Sequence, residues 1–176
     1  DMTADEIAQN KNRCVGPAQI LPLLNRAFEE GPNGVDPALN AARVEAALLW
    51  FLYVSAHKEA VTCTVKNKDC DSGYAYYTGG EPRDSGRGLS RYVRALSIQA
   101  HDRVWDGVLA VRCWRDLDPA DVATNTVLRD QAVAQLDRAL LRGMALIVKG
   151  SAVALDGLAG DARAAQWSLI KIVGGV

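Results

Sequence analysis

DPALNAARVEAALLWFLYVSAHKEAVT, residues Asp36–Thr62, decides the fold. Aspartate directly before proline reads as a helix N-cap followed by Pro37 at the first helical position, where a missing N–H costs nothing. No glycine or proline interrupts the next 25 residues, so one helix is predicted to run to about Thr62. Its centre, AALLWFLYV from Ala46 to Val54, is a nine-residue apolar run. Spanning a bilayer takes roughly 20 such residues, so this is expected to be a core helix and the chain is not membrane-spanning.

Working outward, the same device recurs. Asp118-Pro119 predicts a second long helix, with Val133, Leu136, Leu140, Met144 and Ile147 forming one apolar face that extends toward Leu155. Gly143 and Gly150 inside it mark a kink or the close approach of a neighbour. Leu89, Val93, Leu96, Ala100, Val104 and Val108 step at the same spacing, predicting a helix from Ser85 or Gly86 to Trp114. Asp161 is placed to cap a last helix through Val173, and Pro17–Glu30 supplies a shorter one kinked at Pro22. Strand alternation is nearly absent. The expected fold is all-α, an antiparallel bundle of four main helices plus a short N-terminal helix, with residues 1–176 as a single domain or one half of a larger two-bundle protein.

The totals exclude more than they assign. A net charge of −1 with no strongly basic half points away from nucleic acid and anionic membranes. Arginine outnumbers lysine 14 to 6, a bias that GC-rich coding produces without selection for binding. The opening DMTADEIAQN has no charged-then-apolar leader, so a signal peptide has been removed or was never present. Four cysteines allow three connectivities; two of them close the short polar stretch CTVKNKDC, which favours a Cys63–Cys70 disulfide and an extracytoplasmic location, periplasmic or secreted, with Cys14 and Cys113 left to pair across the fold.

No hydrolase, zinc-protease or phosphate-loop motif occurs, and there are only two histidines, so an enzyme is not expected. The segment that departs from its surroundings is CDSGYAYYTGG, Cys70–Gly80, read as a polar aromatic loop between two helices. Around it gather His57 and Glu59 from the preceding helix, then Asp69, Asp71, Tyr74 and Tyr77. Arg87, Arg91 and Arg94 follow at i, i+4 and i+7, a basic stripe at a helix N-terminus that favours an anion. Carboxylates, phenolates and an imidazole suit iron, and Arg87 with Arg91 would hold a completing anion. Glycines 73, 79 and 80 would turn the backbone so that these side chains aim inward. The blander reading makes the tyrosines half-buried plugs, the arginines a solvated face paired with Asp84 or Asp102, and Asp102 with Asp106 plain surface carboxylates.

The order of a His/Glu helix, a cysteine turn, DSGYAYYTGG and then an SGRGLSRYV helix resembles the imelysin-type and algal iron-assimilation proteins over about residues 37–110. Where the imelysin pattern has G-x-H-x-x-E, this chain has Ser55-Ala56-His57-Lys58-Glu59. The resemblance implies an extracytoplasmic helical protein that binds or takes up iron. Two other classes fit the same bundle. One is a metal-free sensor or small-anion module; the other is a structural or interaction domain with Trp105, Trp114 and Trp167 as core or interface anchors.

Overall fold

The structure, a computed structural model, describes Asp5 and residues 20–175. All regular structure among these residues is helical: α1 Ile20–Glu30, α2 Pro37–Thr62, α3 Lys68–Thr78, α4 Leu89–Leu96, α5 Ile98–Leu117, α6 Thr126–Ala154 and α7 Gly160–Val173, with 3-10 turns at Gly31–Asn33 and Leu155–Gly157. The all-α expectation holds, but the described residues form seven helices rather than four and a short one. No helix here is long and apolar enough to cross a membrane.

Local chemistry explains where expectation and structure part. α2 starts at Pro37 as predicted, with the Asp36 carbonyl accepting the Asn40 N–H at 2.9 Å. Pro22 does not interrupt α1, which is helical throughout Ile20–Glu30; the expected start at Pro17 lies outside the described residues. The helix expected from residue 85 to 114 is broken at Ser97, whose extended backbone ends α4 and whose hydroxyl accepts the Ala100 N–H, capping α5. Asp118-Pro119 does not begin α6. The Asp118 carboxylate instead accepts the backbone N–H groups of Thr124 and Asn125 at 2.6 and 2.7 Å, shaping a loop, and Asn125 Oδ1 accepts the Leu128 N–H at the true start of α6. Asp161 lies inside the first turn of α7, behind an N-cap at Ala159. The Cys70–Gly80 stretch is not a loop either. It is helix α3, closed by Gly79 in the left-handed conformation.

Two compact units divide the chain, one built from residues up to Phe51 and again from Val148 onward, the other from Leu52–Ile147. Helices α2 and α6 contribute to both.

In the Leu52–Ile147 unit, α3 packs on α5 and α4, and α4 packs on α5. Glycine sets several of the helix crossings. A Cβ on Gly73 would stand 3.2 Å from the Ala56 carbonyl, so α3 lies directly on α2, and a Cβ on Gly143 would stand 2.9 Å from Val93, so α6 lies on α4 as its sequence suggested. The core is completed by Ala56, Ala60, Leu89, Val93, Val104, Val108, Val111 and Leu136, all almost fully buried.

In the other unit Ala46, Ala47, Leu49 and Trp50 are buried. The AALLWFLYV run is therefore core on one side only, because Leu48 and Phe51 are half exposed.

Candidate functional site

The tyrosine helix has become a structural joint. Tyr77, fully buried on α3, donates its hydroxyl to His101 Nδ1 on α5 at 3.0 Å, and His101 Nε2 lies 2.9 Å from the Arg83 carbonyl. A carbonyl only accepts, so the Nε2–H tautomer is assigned, and Nδ1 is the acceptor for tyrosine. Burial holds the His101 pKa below the ordinary histidine value, against the opposing pull of the Arg83 carbonyl and Asp102. Burial, aided by Asp102, pushes the Tyr77 phenol well above its ordinary value. Both groups are therefore neutral. His101 also stacks on Tyr77 and tilts against Trp105, whose ring meets the edge of Tyr74 at 5.6 Å.

The remaining residues expected at a metal or anion site are dispersed. Asp71 is exposed and pairs with Arg112 at 2.8 Å, while the same guanidinium covers the Tyr74 ring at 4.6 Å. Asp69 is buried in the first turn of α3. His57 points to Asp137 on α6, with Nε2 3.5 Å from the carboxylate. Glu59 accepts from Lys58 at 2.9 Å. Arg87 pairs with Glu81 at 2.8 Å, and Arg91 is exposed. Asp102 and Asp106 are both held by Arg83, not by Arg87 or Arg94.

Among the described residues no three His, Cys, Asp or Glu side chains converge on a point that a metal ion would occupy. The Tyr77 hydroxyl is engaged with His101, and burial opposes its deprotonation. Residues two apart on a helix, as His57 and Glu59 are, diverge by about 200°, which accounts for their different partners. Glycines 73, 79 and 80 aim no side chains inward; Gly73 admits α2, and Gly79 ends the helix.

A disulfide joins Cys63 and Cys70 with a Cα separation of 5.1 Å, closing the turn between α2 and α3. Cys113 is an exposed free thiol, and Cys14 lies outside the described residues.

Beside the disulfide stands a residue whose importance the sequence did not announce. Arg115 on α5 is 2% exposed and donates to the carbonyls of Cys63 at 3.0 Å, Ala120 at 2.7 Å and Asp118. It is a buried cation paired with main-chain dipoles, and it ties the disulfide turn to the 118–121 loop. The available signal was its place one turn after Val111 in the apolar stripe Val104, Val108, Val111.

The other unit holds a cleft of about 460 Å³ lined by Leu155, Gly160, Arg163, Ala164 and Trp167. Leu155 comes from the 3-10 turn after α6, the rest from α7. Trp167 is 51% exposed, whereas Trp50, Trp105 and Trp114 are buried. Arg163 donates to the Leu155 carbonyl at the cleft and has no carboxylate partner among the described ion pairs. The cleft is thus walled by apolar surface, with the Arg163 guanidinium bonded to the Leu155 carbonyl beside it. No family model, no curated protein and no solved structure matches this chain.

Proposed function

We propose that this chain is a metal-free, non-enzymatic binding module that works outside the cytosol and holds an apolar group with an anionic tip in the Trp167 cleft. The observation that carries the reading is the half-exposed indole beside a cleft walled by Leu155 and Ala164, with Arg163 at its edge. Ligand sites are typically apolar clefts of roughly 300–1,000 Å³ with a few polar groups to orient the ligand. Tryptophan and arginine are also the side chains that most often dominate binding energy. An aromatic or acyl body would lie on the indole, and its carboxylate or sulfonate would accept from the guanidinium. The extracytoplasmic placement is supported by the buried Cys63–Cys70 disulfide, a bond that persists in oxidising compartments.

Anilinonaphthalene sulfonate, an aromatic body carrying a sulfonate, is a suitable probe. It should bind the native protein at one saturable site, with a dissociation constant raised roughly tenfold or more by Trp167→Ala and also raised by Arg163→Gln. Binding unchanged by both substitutions would reject the cleft. In parallel, protein mixed with ferric iron and bicarbonate should remain colourless; a tyrosinate charge-transfer band would restore the iron reading implied by the imelysin-type resemblance.

A further inference from the structure

At one end of the Leu52–Ile147 unit, segments distant in sequence are tied together. Ala123 N–H donates to the Thr64 carbonyl at 3.0 Å, Arg129 Nη1 reaches Thr64 Oγ1 at 3.3 Å, Arg115 bonds the Cys63 carbonyl, and Trp114 Nε1 donates to the Asn125 carbonyl at 2.9 Å. The turn after α2, the end of α5, the 118–125 loop and the start of α6 thus form one continuous surface. That surface is apolar where a free surface would be polar: Leu117 is 79% exposed, and Val65, Val122, Val127 and Leu128 are exposed around it. Contiguous exposed aliphatics of this kind mark an interaction surface.

The charges beside them divide by segment. The α2–α3 turn and the first residue of α3 carry Lys66 and Lys68, both exposed, while the end of α5 and its loop carry exposed Asp116 and Asp121. None of these four belongs to an ion pair among the described residues. This end of the unit thus carries charges of both signs on separate segments beside exposed aliphatics. In an isologous dimer the lysine segment of one copy would meet the aspartate segment of the other.

We propose that this end of the unit binds a second copy of the chain, with Leu117, Val122 and Val127 in the interface core and Lys66 and Lys68 facing Asp116 and Asp121 of the other copy. The proposal does not depend on the Trp167 cleft. Sedimentation velocity on the full chain should show a concentration-dependent dimer that weakens with added salt. Leu117→Glu should raise the dimer dissociation constant at least roughly tenfold with far-UV circular dichroism unchanged.

The decisive experiment uses two charge variants, Lys66→Glu with Lys68→Glu and Asp116→Lys with Asp121→Lys. Each alone should be monomeric, because every facing pair becomes like-charged, and an equimolar mixture should form a heterodimer, because every facing pair is again opposite. A monomeric wild type overturns the proposal, as does a dimer indifferent to the charge variants or a mixture that stays monomeric. Monomer that floats with phosphatidylcholine vesicles also overturns it, since a lipid surface would then be what covers the patch.

Discussion

The Tyr77 joint and the Trp167 cleft hold similar kinds of side chain in opposite circumstances. At the first, a phenol, an imidazole and an indole are buried, and each polar atom of the Tyr77–His101 pair has a partner inside the protein. At the second, a half-exposed indole borders a cleft with apolar walls, and the guanidinium beside it has one carbonyl partner and no carboxylate among the described ion pairs. A polar group already satisfied internally offers a ligand little, because binding must first break the existing bond. An exposed aromatic beside a cleft keeps its hydration cost available for release on binding. The most conspicuous segment of the sequence thus packs its aromatic side chains into the interior, and an inconspicuous one lines the cleft of the proposed function.

The largest effect that would break this contrast lies beside the disulfide. Arg115→Met should destabilise the protein by about 3–5 kcal/mol in urea unfolding, because it strands several carbonyls that only the guanidinium fork reaches, at about 1–3 kcal/mol for each left unsatisfied. Arg115→Lys should fall between, since a single ammonium replaces a planar fork of donors. A loss below about 1 kcal/mol for the methionine variant would show that this interior is not organised around its polar contacts.

Smaller, and with a pH signature, is the effect of Tyr77→Phe. It leaves His101 Nδ1 a buried acceptor without a donor, an expected cost of about 1–2 kcal/mol. His101 has a lowered folded-state pKa, so on acidification the unfolded chain takes up that proton first. Its contribution is full above about pH 6.5 and declines as the pH falls toward the folded value. Tyr77 has a raised folded-state pKa, and its contribution is full below about pH 10 and declines as the pH rises from there. Urea midpoints across this range should fall on both sides of a plateau. His101→Gln should flatten the acidic limb attributable to this group; an unchanged limb would assign it to other residues.

Smallest on stability is Trp167→Ala, expected below about 1 kcal/mol because half of the side chain already faces solvent. The same substitution has the largest expected effect on probe binding. If instead it unfolds the protein, the indole is a structural plug and the two regions are alike.

How far the sequence could be read depended on the range of each interaction. Helical periodicity and the Asp36-Pro37 start are decided within one or two turns, and the all-α class follows from them. Cys63 and Cys70 are seven positions apart across a polar turn, close enough for their pairing to be read directly. The break at Ser97 was harder to see because no glycine or proline announces it; a serine hydroxyl that caps one helix looks the same in sequence as one lying within it. The proposed ligands were individually conspicuous, yet their partners were not. Asp71 turned to Arg112, Arg87 to Glu81, and His57 to Asp137.

From sequence alone come the helical class, the absence of enzyme motifs, the apolar stripes and the local disulfide, all of which rest on neighbours within a few turns of chain. Only the tertiary structure decides that Tyr77 meets His101 across 24 residues, that Arg115 meets Cys63 across 52, and that Trp167 stays outside while the other three tryptophans go in. The physical reason is that a buried polar group must take whichever partner the packing brings within about 3 Å. Packing is set by how whole helix faces and glycine crossings fit, a property that no short stretch of this chain contains.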